Sequence, residues 1–155
     1  MEREWGYSEC GNFALSISVE QTTLSQGENF VVDVRLKNLT ENNVEIGHTW
    51  PYLRPVIEDW TFPPQHPVGN PFLFFTIEAG GYFQKNYQIG GYELYGFASA
   101  NDEKWVLPLG SHELRFHAQF TTCADSNNPP QGTPPNWPAM EWISFYSNTI
   151  KITVT

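Results

Sequence analysis

HELRFHAQFTT, residues 112–122, alternates strictly: Leu114, Phe116, Ala118 and Phe120 share one side, and Glu113, Arg115, His117 and Gln119 share the other. Apolar residues at every second position are the mark of an extended strand with one face buried. The same period recurs upstream. FVVDVRLK, residues 30–37, sets Phe30, Val32, Val34 and Leu36 against Asp33, Arg35 and Lys37, and FALSISV, residues 13–19, sets Phe13, Leu15, Ile17 and Val19 against Ala14, Ser16 and Ser18. At the end of the chain, Ile150, Ile152 and Val154 alternate with Thr149, Lys151 and Thr153. No window of helical length carries an apolar stripe at i, i+3, i+4 and i+7, so the chain reads as all-β.

The remaining elements follow from turn chemistry. Ser25-Gln26-Gly27-Glu28 and the segment 38–43 turn the chain between strands, and a third strand is expected over Val44 to Trp50. Val56-Ile57 marks another short strand before Trp60. Prolines at 51, 55, 63, 64, 67 and 71 cannot donate to a ladder, which predicts a long excursion or an edge over 51–71. FLFFTI, residues 72–77, is continuously apolar and is expected to be covered on both faces or shielded by that excursion. Diglycine turns at Gly80-Gly81 and Gly90-Gly91 bracket a strand over Tyr82 to Ile89, and Trp105 to Leu107 starts another. Residues 124–139, with five prolines, read as a long extended loop, and Trp142 to Tyr146 forms a strand before a break at Ser147-Asn148. The expectation is a two-sheet sandwich of seven to nine strands over 13–155, after an amino-terminal tail over 1–12, with its surplus length in loop excursions.

At 155 residues the chain is long enough to bury one core without metals or dense disulfides. Eight Lys plus Arg against seventeen Asp plus Glu leave a formal charge of −9, which disfavours nucleic acid and anionic membrane surfaces as partners. A hydrophobic share of 40%, with 11 Phe, 7 Tyr and 6 Trp, excludes disorder. No run approaches the ~18 apolar residues that span a bilayer, and the first twenty residues lack the apolar core of a signal peptide, so no membrane insertion is expected. A leader removed ahead of Met1 would make the location extracytoplasmic or cell-surface. Cys10 and Cys123 are too few for a disulfide framework and too far apart for a CxxC site; one bridge or two free thiols are both open.

Four segments carry a resemblance: LSQGENFVVDVRLKN (24–38), the N-x-T turn opening at Asn38, LPLGSHELRFHAQF (107–120) and YSNTIKITV (146–154). Together they resemble bacterial immunoglobulin-like sandwich modules of uncharacterised function. The likeness covers roughly a third of the chain and implies an architecture, not an activity. A weaker likeness, through Asn38-Leu39-Thr40 and Val44-Glu45-Ile46, is to the intracellular proteinase inhibitor family of bacilli. In such sandwiches the place of His112, just after Gly110, often holds the tyrosine of a tyrosine corner; His112 is therefore expected to be a structural corner, bonded back to nearby backbone, with its ring beside Leu114.

The chemistry-bearing motifs GxSxG, HExxH, GxxxxGK[ST], GxGxxG, the EF-hand loop and CxxC pairs do not occur. The histidines 48, 66, 112 and 117 lie in four segments, and only His48 and His117 could be gathered by folding. Glu58-Asp59 and Asp102-Glu103 are sequence neighbours, which a strand would send to opposite sides rather than converge as a glycosidase pair, so they read as solvated turns. Asp125, Asn127 and Asn128 could offer oxygens to calcium or simply form turns. No catalytic residue, metal or cofactor is assigned. The functional lead is aromatic: Trp50, Tyr52, Trp60 and Phe62 flank the first excursion, Tyr92 and Tyr95 lie in the second, and Trp137 and Trp142 edge the third. Gathered at one end of the sandwich they would form a ligand platform for a protein or carbohydrate; folded back, they would be satellite cores. The expected function is a non-catalytic binding or structural module working through its loops, with a protease inhibitor presenting a loop as the second class and a carbohydrate-active enzyme as the third.

Overall fold

The computed structural model describes residues 3–49, 53–58, 60–61, 72–89, 107–122 and 142–155. Strands and turns account for the ordered structure among these residues, and no helix long and apolar enough to cross a membrane occurs among them. The first sheet holds β1 (Gly6–Tyr7), β2 (Phe13–Val19), β4 (Phe30–Asn38) and β9 (Tyr82–Ile89), in the order β1-β2-β4-β9. The second holds β3 (Thr23–Leu24), β12 (Ile150–Val154), β10 (Gly110–Thr122), β5 (Val44–Thr49) and β8 (Phe72–Ile77) in that order, with β6 (Leu53–Ile57), β7 (Trp60–Thr61) and β11 (Trp142–Tyr146) attached to it.

The two sheets close on the residues that the alternation picks out. Val32, Val34, Leu114 and Phe116 are all fully buried. Phe13 of β2 meets Phe120 of β10 edge to face, centroids 5.1 Å apart, and Tyr87 of β9 meets Phe116 at 5.4 Å. Aromatic pairs in these geometries add to the burial of their area, and here they join one sheet to the other. The protein is an all-β, two-sheet sandwich.

The thirteen-residue β10 is the axis of the second sheet. On one flank it pairs with β5 (Thr121 opposite Gly47) and then β6 (Phe116 opposite Pro55); on the other it pairs with β11 (His117 opposite Tyr146) and then β12 (Leu114 opposite Ile150). Each flank is thus supplied by two short strands with a break between them. In the β11–β12 break, Ser147 N donates to Phe116 O at 2.9 Å and Phe116 N donates to Ser147 Oγ at 2.8 Å, so the side chain replaces a missing rung of the ladder.

Pro55 lies in the stretch expected to be an excursion or an edge, and it takes part in the β6–β10 ladder. The N–H and C=O of Phe116 are both spent on Ser147, on the far side of β10 from β6. Phe116 and Pro55 therefore face each other as a non-hydrogen-bonded pair, where the absent proline N–H costs no rung. FLFFTI, expected to be covered on both faces or shielded by the excursion, pairs as β8 with β5 at the sheet margin; Ile77 is buried and Phe75 packs inward, while Phe74 points out and is 40% exposed. Leu107 is buried but belongs to no strand.

The amino-terminal segment is more than a tail. Gly6 and Tyr7 pair with Leu15 and Ala14, and Arg3 lies across the outer face of the first sheet. Its guanidinium donates to Ser16 Oγ (2.7 Å), Ser18 Oγ (3.1 Å) and Asp33 Oδ1 (2.8 Å). Ala14 and Ser16, on the face opposite to the core, are buried under this arm.

The chain passes from the second sheet to the first between β8 and β9. Gly80 takes a φ of 70°, a left-handed turn position that glycine occupies without steric cost, and Gly81 N donates to Glu78 O at 2.8 Å. The buried amide of Asn38 fastens this crossing. Its Nδ2 donates toward Asn42 O (2.8 Å), Ile77 O (3.0 Å) and Glu78 O (3.2 Å), while its Oδ1 accepts from Thr40 N (2.9 Å) and Thr40 Oγ1 (2.7 Å).

Candidate functional site

Trp142 opens β11 opposite Thr121 and is 46% exposed, an indole held by a strand yet open to solvent. It borders a groove of about 610 Å³ where the β1–β2 turn meets the end of β10 and the start of β11. Cys10, Asn12, Thr40 and Ser144 supply hydroxyl, amide and thiol groups to the same groove, and Glu9 is the charged side chain on its lining. The volume falls within the range of small-molecule and peptide-tip sites. Its chemistry is that of a stacking surface with a polar rim, suited to a ligand that offers a flat apolar face and hydrogen-bonding edges.

The other aromatic candidates are placed as follows. Trp60 lies on β7 opposite Ile57. Trp50, Tyr52, Phe62, Tyr92, Tyr95 and Trp137 lie outside the described residues, as do Asp125, Asn127 and Asn128. Cys10 carries an exposed free thiol, 3.4 Å from Ser8 Oγ, and Cys123 lies outside the described residues. The groove therefore unites Trp142, Cys10 and the Thr40 of the N-x-T turn with Asn12 and Ser144, which the sequence did not mark. Asn12 lies in the β1–β2 turn and Thr40 in the connection from β4 to β5, and nothing local in the sequence ties them to a strand 100 residues away.

His112 sits at the start of β10 with its side chain 12% exposed. Its Nε2–H donates to Pro108 O at 2.7 Å, and its Nδ1 lies 3.0 Å from Glu58 Oε1. The ring ties the 108–112 corner to the turn after β6, where Glu58 holds the left-handed φ of 56°. His48 and His117 do not meet. His48 is buried on the inward side of β5, 5.6 Å from the Phe75 ring, whereas His117 stands on the outer face of β10.

The real partner of His117 is Ser144, whose Oγ lies 2.6 Å from Nε2. The Tyr146 ring is 4.8 Å away, and the Arg115 guanidinium stacks on that ring at 3.9 Å. Burial, then the positive charges of Arg54 and Arg115, hold the imidazole below its ordinary pKa of 6.5. A serine beside a neutral histidine is the start of a nucleophile and base. Here the orienting group is missing: among the described residues no carboxylate contacts Nδ1, and the charged neighbours are guanidiniums. The pair also stands on the face of a sheet rather than in the groove's depth. Also among the described residues, no three His, Cys, Asp or Glu side chains gather as a cation site.

No protein-family model matches the chain, and no curated protein does. Among solved structures it is similar to a β-glucosidase from Listeria innocua, seen with gluconolactone and with glucose, at 18% identity and a TM-score of 0.44, over 96% of this chain and 16% of that one. It is similar also to the β-glucosidase EmGH1 from Erythrobacter marinus, at 15% identity and a TM-score of 0.45, over 92% of this chain and 15% of that one. The chain thus spans less than a fifth of the length of these enzymes. The functional reading rests on its own geometry.

Proposed function

We propose that the protein is a non-catalytic, immunoglobulin-like binding module that contacts a protein or carbohydrate partner through the groove at Trp142. The observation that carries this reading is a half-exposed indole fixed at the head of β11 beside a polar-rimmed groove of about 610 Å³. Rigid aromatic anchors lose little conformational freedom on binding, which is why such rings dominate recognition surfaces.

A combined glycan and peptide array tests the reading with the intact chain and its Trp142→Ala variant. Binding by the parent that is lost in a variant of unchanged thermal stability supports it. No binding, or binding indifferent to Trp142, overturns it. Stoichiometric inhibition of a serine protease, or turnover of a glycan, would replace it with the inhibitor or enzyme reading.

A further inference from the structure

A second concavity, of about 690 Å³, lies on the outer face of the first sheet, between Arg3, Asp33 and Arg35 on one side and Gln21, Asn29 and Asn86 on the other. We propose that it binds a neutral oligosaccharide. This site is separate from the groove at Trp142, and the inference does not depend on that groove.

Charge is the first argument. Arg3 and Arg35 are matched within the concavity by Asp33 and Glu20, so the lining has no surplus of either sign to select an anion or a cation. What remains is hydrogen-bonding capacity of both kinds. Among the described residues, Asp33 Oδ2, Asn86 Nδ2 and the side chains of Asn29 and Gln21 have no partner. A ligand dense in hydroxyls, each both donor and acceptor, satisfies such a mixed set; a phosphate or a carboxylate does not.

Preorganisation is the second. Asp33 Oδ1 accepts from Arg3 Nη2 at 2.8 Å and from Arg35 Nε at 3.2 Å, and Ser16 and Ser18 hold Arg3 in turn. These groups are in place before a ligand arrives, so less side-chain freedom is lost on binding. Apolar surface flanks the polar set on the same face. The register places Asp33 opposite Asn86, Val31 opposite Gln88 and Lys37 opposite Tyr82, and both Val31 and Tyr82 are more than half exposed. Within the lining, exposed Val31 offers an apolar face to a pyranose, and Arg35 leads outward to the Tyr82 ring, over which its guanidinium lies at 5.2 Å.

Isothermal titration and amide NMR of the full chain decide the matter, with gluco-, manno-, galacto- and xylo-configured neutral oligosaccharides at millimolar concentration as probes, and an oligouronate and inorganic phosphate as anionic controls. The expected result is binding of at least one neutral probe, with shifts in the Asn29 and Asn86 side-chain amides. Asn86→Ala and, independently, Asn29→Ala should each weaken that binding roughly tenfold, the effect of about one lost hydrogen bond, while Trp142→Ala leaves it unchanged. The proposal is overturned if no neutral probe binds, if an anionic control binds more tightly, or if binding follows Trp142 instead of the two asparagines.

Discussion

Asn148 joins the two sheets by gripping the backbone of Ile17. Its Oδ1 accepts from Ile17 N at 2.9 Å and its Nδ2 donates to Ile17 O at 3.2 Å, so one side-chain amide does for β2 what a neighbouring strand would do. Beyond the two-residue β1, the edge of β2 is otherwise unpaired at this point, and the break between β11 and β12 delivers Asn148 to it. Asn148→Ala should lower stability by about 1–3 kcal/mol, since it leaves a backbone donor and acceptor without partners. Chemical denaturation measures the change, and amide exchange at Ile17 should quicken.

Asn38 is fully buried and serves four different residues through one amide. Its replacement by alanine orphans carbonyls at the crossing from β8 to β9, with an expected loss of about 2–4 kcal/mol in urea unfolding. Thr40→Val, which removes one hydroxyl from the same network, should cost less than half as much.

Gly6 is required by proximity. A Cβ at this position would stand 2.0 Å from Tyr146 O and 2.8 Å from Ser147 C, both backbone atoms that no side-chain rotation can clear. Gly6→Ala should lift the amino-terminal arm off the sandwich at a cost of about 2–3 kcal/mol. Faster trypsin cleavage after Arg3 and faster amide exchange in β2 are the signatures to measure.

His117 makes stability depend on pH in a stated direction. Burial first, then Arg54 and Arg115, lower its pKa in the folded protein below the 6.5 of the free side chain. The unfolded chain therefore takes up a proton at a higher pH than the folded one. The contribution is fully present above pH 6.5, and it falls away as the pH drops from there through the folded value. His117→Gln should flatten this part of the stability profile, as followed by thermal melts between neutral and mildly acidic pH. An unchanged profile in the variant would assign the effect elsewhere.

Much of the fold was legible because strand alternation is a local property. Any residue in 13–19, 30–37 or 112–122 shows which side it belongs to from its neighbours alone, and the residues so chosen are buried between the sheets, with Val19 partly so. The rung that Pro55 occupies was not legible, for a reason just as physical. Whether a proline harms a ladder depends on which rung it occupies, and that rung was set by Ser147, more than ninety positions later. His117 was weighed with His48, another histidine, whereas register sets Tyr146 opposite it and Ser144 on the diagonal, within hydrogen-bond reach.

By itself the sequence determined the all-β class and the inward faces of the main strands, since both depend on a two-residue period. Only tertiary structure decided that Asn148 reaches Ile17, that Arg3 fastens onto Asp33, and that Trp142 shares a groove with Asn12 and Thr40. These contacts join residues that lie 30 to more than 100 positions apart. Their formation depends on strand order and register, which arise from closing the whole core at once rather than from any one segment.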